Sequence, residues 1–169
     1  MATESEARPH TIAVLVDNEA GVLARVIGLF SGRGYNIESL TVAEIDPDQH
    51  LSRITIVTTG SQAVIDQIMA QLGRLVPVRT VTDLSVDSSV ERELALIKVR
   101  ASGDKRVESL RIAEIFRPRV VDATDESFVF EMTGSASKLD AFVRLMRPLG
   151  MVDLSRTGVV AITRGPKAM

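Results

Sequence analysis

The sequence predicts an α+β protein made of two ferredoxin-like βαββαβ units in tandem. Three observations carry that prediction. Apolar, β-branched runs alternate with helix-period segments in the order βαββαβ. The order restarts after Ser85-Val86-Asp87-Ser88-Ser89. The halves also align internally: Ile65-Asp66-Gln67-Ile68 lies opposite Leu139-Asp140-Ala141-Phe142, and Leu75-Val76-Pro77-Val78 opposite Leu149-Gly150-Met151-Val152, at an offset of 74. The first helices align at about 85, Val22 with Val107, so the second copy has a shorter middle hairpin.

Element by element, residues 1–9 are polar and read as a loose tail. His10–Asp17 is β-branched and mostly apolar, a buried strand. Asp17-Asn18-Glu19-Ala20-Gly21 breaks it. Val22, Leu23, Val26, Ile27 and Phe30 then recur at helical spacing, giving a helix over 21–32 that Gly32 and Gly34 end. Residues 35–46 and 51–59 are two strands around the turn Asp46-Pro47-Asp48-Gln49-His50. Ser61 caps a second helix whose stripe is Val64, Ile65, Ile68, Met69 and Leu72, and 76–84 is a fourth strand. In the second half, 94–99 is a strand. Residues 104–117 form a helix with Val107, Leu110, Ala113 and Phe116 spaced by threes. Short strands follow at 119–122 and 127–132. A helix capped by Ser135 or Ser137 carries Leu139, Phe142, Val143 and Met146, and 152–163 holds the last strand or two. The expected organisation is a tail over 1–9, a first domain over 10–84, a linker over 85–90 and a second domain over 91–165. One helix-covered face per sheet leaves the other free for a partner.

Composition excludes several function classes. The 169 residues are 45% hydrophobic, enough for packed cores, with a formal net charge of −2 and 4% aromatics. That balance gives no reason to expect nucleic acid or an anionic membrane. Without cysteine there are no disulfides, thiolate metal sites or thiol nucleophiles. No apolar run approaches membrane-spanning length, and the N-terminus has no signal-peptide pattern, so the expectation is a soluble cytoplasmic protein. His10 and His50 lack neighbouring ligands at metal spacing and read as surface histidines. No serine has a nucleophile-elbow context, and Gly32-Arg33-Gly34 precedes a strand instead of opening a helix, which disqualifies it as a dinucleotide fingerprint. Arg117-Pro118-Arg119 reads as a solvated basic loop.

The informative place is Asp17–Leu23, where a strand turns into a helix N-terminus. Free backbone N–H groups there suit a carboxylate, Gly21 allows close approach, and Asn18 supplies both a donor and an acceptor, fitting a zwitterionic amino acid. A helix cap with a packing glycine explains the same residues.

Asp17–Leu23 resembles the loop of ACT domains, although many such loops carry proline where Ala20 stands here. Arg25–Val42 and Ser52–Ile56 resemble the signature of acetolactate (acetohydroxyacid) synthase small subunits. In the second half, Glu91–Leu94, Glu114–Arg117, Lys138–Phe142 and Arg156–Ala161 continue the resemblance, which spans about residues 10–165. It implies an ACT domain followed by an ACT-like domain in a non-catalytic, homodimeric regulatory subunit. Such a subunit activates a thiamine-diphosphate-dependent large catalytic subunit and confers feedback inhibition by branched-chain amino acids, valine foremost. The resemblance places the effector between two protomers, with Asn18 and Gly21 from one loop, Asn36 from the other protomer's second strand, and Ala43 nearby. Thiamine diphosphate, magnesium and FAD would belong to the catalytic chain, leaving no cofactor here. A free-standing amino-acid sensor of another partner would share the loop but not the second-half match. A small enzyme on this fold would need a convergent acid/base or metal set, which the sequence does not offer.

Overall fold

A computed structural model describes residues 6–86 and 88–169. The chain forms two compact units. One holds the residues up to Val90 together with Val159–Met169; the other is Glu91–Gly158. The tail expected over 1–9 is described only from Glu6, and the first strand already starts at Arg8.

In the first unit, β1 (Arg8–Asp17), α1 (Val22–Gly32), β2 (Ser39–Asp46), β3 (Leu51–Gly60), α2 (Gln62–Leu72) and β4 (Val78–Asp83) give an antiparallel sheet of order β2-β3-β1-β4. Strand alternation sorts the side chains by face. Ile12, Val14 and Val16 of β1 with Ile54 and Ile56 of β3 point to the helices, where they meet Val22, Val26 and Phe30 of α1 and Ile65, Ile68 and Leu72 of α2. These residues bury completely or nearly so and form the core of the unit.

His10 shares the parity of Ile12 and Val14, and so it is buried instead of exposed as the sequence reading expected. Its Nδ1 lies 2.9 Å from Asp83 Oδ2, and its Nε2 accepts from Arg8 Nε at 3.2 Å. His50 is exposed, in the turn before β3.

The second unit repeats the plan. β5 (Ser89–Arg100), α3 (Gly103–Phe116), β6 (Arg119–Ala123), β7 (Ser127–Gly134), α4 (Ala136–Met146), a 3-10 turn (Arg147–Leu149) and β8 (Met151–Arg156) give the strand order β6-β7-β5-β8. That is the order of the first sheet, strand for strand. β6 has five residues against eight in β2, which is the shorter hairpin inferred from the change of alignment offset. The core joins Ile97 and Val99 of β5 and Phe128, Phe130 and Met132 of β7 to Leu139, Phe142, Val143 and Met146 of α4.

One further expectation needs correction. The core side of α3 is Ser109, Ile112, Ala113 and Phe116, whereas Val107 and Leu110 are exposed. At 100° per residue, positions nine apart lie on opposite sides of a helix, so a row spaced strictly by threes cannot face one core. The second compact unit ends at Gly158, and β9 (Val160–Thr163), which pairs with β5, lies on the helix-free face of the first sheet. Val159 N–H donates to Ser39 Oγ at 2.8 Å, and Thr41 Oγ1 donates to Val159 O at 3.3 Å. Arg53 Nη2 donates to Ala161 O at 2.8 Å, and Ala161 packs with Ala13 and Leu84. The face expected to stay free in the first unit is therefore partly covered by the chain's own end.

Candidate functional site

The loop Asn18–Gly21 is built by the need to turn a strand into a helix within four residues. Asp17 N–H donates to Pro77 O at 2.8 Å and Asn18 N–H to His50 O at 2.6 Å, which tie the end of β1 to both neighbouring connections. Gly21 then adopts φ +84 at the N-cap of α1, a left-handed conformation that favours glycine. A Cβ at Gly21 would meet nothing within 4 Å, so the approach to the backbone is open.

No side chain caps α1, and its first turn has no acidic residue. Val22 N–H reaches Glu19 O and Arg25 N–H reaches Gly21 O, while Leu23 and Ala24 N–H find no partner among the described residues. Two donors at the positive end of a helix thus remain for an anion.

The charges around this end are mostly paired. Asp17 Oδ1 accepts from Arg79 Nε at 2.6 Å, and Glu19 Oε1 from Arg25 Nη1 at 3.0 Å. Asn18 Nδ2 donates to Glu44 Oε1 at 3.0 Å. Glu44 was not foreseen from the sequence. It lies 26 residues away and reaches Asn18 only because β2 and β1 flank β3, a long-range pairing that no local pattern announces.

Of the four residues singled out in the sequence, Asn18 and Gly21 share this loop, and all four are exposed. Ala43 is two strands away on β2, opposite Arg53 in register and next to Glu44. Its side chain has the parity of Ser39 and Thr41, on the sheet face away from the helices. Asn36 stands at the far end of the sheet, where its carbonyl accepts from Thr58 Oγ1 at 2.6 Å. Asp17 pairs with Leu51, and Thr58 lies seven residues further along β3. At ~3.3 Å per residue that separation is about 23 Å. Within one chain, Asn18 and Asn36 cannot hold the same small ligand.

No group of three or more His, Cys, Asp or Glu among the described residues is arranged to hold a metal ion. No described helix is long and apolar enough to cross a membrane.

The chain was compared with known proteins. A family profile for an "AHAS small subunit-like ACT domain" matches residues 12–80, and one for the "small subunit of acetolactate synthase" matches 92–165. The probable acetolactate synthase small subunit of Archaeoglobus fulgidus is 51% identical, covering 94% of this chain and 98% of the relative. The acetolactate synthase isozyme 3 small subunit of Escherichia coli is 48% identical, over 94% and 97% of the two chains. The crystal structure of the acetolactate synthase small subunit of Thermotoga maritima, 40% identical, superposes with a TM-score of 0.84 over 95% of this chain and 99% of that one. With both units matched and near-complete coverage in each direction, the chain belongs to the acetolactate synthase small-subunit family.

Proposed function

We propose that this chain is the regulatory subunit of an acetolactate synthase in branched-chain amino-acid biosynthesis: it activates a large, thiamine-diphosphate-dependent catalytic subunit and makes it sensitive to feedback by a branched-chain amino acid, valine foremost. The chain itself does no chemistry in this reading, and thiamine diphosphate, magnesium and FAD reside on the catalytic subunit.

The observation that carries the reading is the separation of Asn18 from Asn36 at opposite ends of one sheet. β2 is an edge strand with exposed Val42 and Ile45, a combination that invites pairing with another strand. Two β2 strands paired antiparallel about a two-fold axis bring the Ser39 end of one against the Asp46 end of the other. Asn36 of a second copy then stands beside Asn18, Gly21 and Glu44 of the first, with Ala43 close by. In such a site the unpaired N–H groups of α1 receive the effector's carboxylate. Asn18 and Glu44 face its ammonium group, and the apolar side chains of β2 receive its aliphatic end.

Holoenzyme activity against valine concentration tests this. With Asn18→Ala or Asn36→Ala small subunit at saturating ratio, stimulation of the catalytic subunit should persist. Inhibition should need roughly 10- to 150-fold more valine, the loss of one hydrogen bond to a charged group. Unchanged valine sensitivity in both variants would place the effector elsewhere. Joint loss of stimulation and sensitivity would assign the loop to subunit assembly.

A further inference from the structure

Strand alternation makes β3 two-faced. Ile54 and Ile56 enter the core, and Arg53 and Thr55 face the other way, where β9 and the residues after it lie. A cation in that position has a problem. Arg53 is half-buried, and burial pushes its guanidinium below the ordinary value. Arg25, Arg79 and Arg156 each have an acidic partner; Arg53 has none among the described residues. One of its N–H groups donates to Ala161 O. Its Nε is sealed from solvent and donates to nothing. A cation held half-buried with an unpaired donor is costly, and an anion beside the guanidinium lowers that cost.

Beside it is a cavity of about 250 Å³, lined by Arg53 together with Ile162, Thr163, Lys167 and Met169 of the C-terminal segment. The cavity thus combines a planar cationic fork, a second cation and aliphatic walls, all within the first unit. A carboxylate has two acceptor oxygens in the spacing that a guanidinium fork matches, and a short branched hydrocarbon suits the apolar wall. The volume is small for a pocket, which restricts the ligand to a few heavy atoms beyond the carboxylate.

We infer that Arg53, Lys167 and the C-terminal segment form a binding site for a small aliphatic monocarboxylate, separate from the loop at Asn18. The inference does not rest on the regulatory reading, because it uses neither the loop nor a second copy. The carboxylate supplies a counter-charge, accepts from the guanidinium N–H groups of Arg53 that reach the cavity, and lays its hydrocarbon against Ile162 and Met169.

The test is a titration of the full-length chain with isobutyrate, followed at the Arg53 Nε–Hε cross-peak in nitrogen–proton correlation spectra. Arg53→Lys identifies that peak by deleting it. A saturable shift with a millimolar or tighter Kd is expected with isobutyrate, and none with isobutyramide, its uncharged counterpart. Lys167→Ala should weaken binding about fivefold through loss of a nearby charge, and Asn18→Ala should leave it unchanged. No saturable shift, an equal response to isobutyramide, or tighter binding of inorganic phosphate than of isobutyrate would overturn the assignment. Loss of binding in Asn18→Ala would overturn it too, by merging this cavity with the loop site, whereas a valine-insensitive Asn18→Ala holoenzyme has no bearing on it.

Discussion

Two glycines with left-handed backbones show how unequal such positions are. Gly21 has φ +84 and open space where a Cβ would go, so alanine there costs only the backbone preference, about 1–2 kcal/mol. Gly150 has φ +107, and a Cβ would sit 2.2 Å from the carbonyl oxygen of Arg100. That contact is fixed, because Arg100 N–H donates to Gly150 O at 2.8 Å. Gly150→Ala should therefore cost about 3 kcal/mol or more, and the loss should be confined to the second unit. Amide exchange, which reports protection unit by unit, checks both variants; equal losses would contradict the geometry. Gly21 was legible from its neighbours, since a strand run, a break and a helix period leave little else for that residue to do. Arg156 was not. It donates to Glu93 and to Asp140, residues 63 and 16 positions away, and such convergence exists only after the sheet has formed.

Among the elements, strands and strongly amphipathic helices were legible, and α3 was legible only in extent. Its apolar residues are spread around the axis, so that Val107, Leu110 and Ile115 are exposed while Ser109 is fully buried. Ser109 tolerates burial because its hydroxyl donates to Lys105 O at 2.7 Å, a satisfaction that hydropathy does not register. Phe116 settles the orientation: its ring centroid is 5.4 Å from that of Phe142 in the core. Phe116→Ala should destabilise the second unit by about 3–5 kcal/mol. Val107→Ala should stay within about 0.5 kcal/mol. Chemical denaturation of the two variants distinguishes this face from the one the sequence spacing implied, for which the two losses would be comparable.

For the whole molecule, the repeat was legible because each half repeats a pattern of period and order that can be read without knowing any contact. The destination of the C-terminus was not, because Val160–Thr163 reads as a strand wherever it packs. Ending the chain after Gly158 should uncover Ala13 and Leu84 and strip the hydrogen-bond partners from Ser39, Thr41 and Arg53. The expected outcome is faster amide exchange in β1–β3 and at the start of β5, which loses its pairing with β9, with β6–β8 unchanged; equal protection before and after truncation would show that the last residues are dispensable to the first unit. The same arrangement makes Glu91–Gly158 a continuous unit set within a discontinuous one, with its two ends held together where Thr157 N–H donates to Leu94 O. This has a consequence for biosynthesis. Translation delivers residues up to Val90 first, but the last piece of that unit follows only after about 70 further residues, several seconds at about 5–20 residues per second. The second unit is thus fully synthesised before the first, and on the ribosome the older half of the chain waits, with Ala13 and Leu84 still wet, for the youngest.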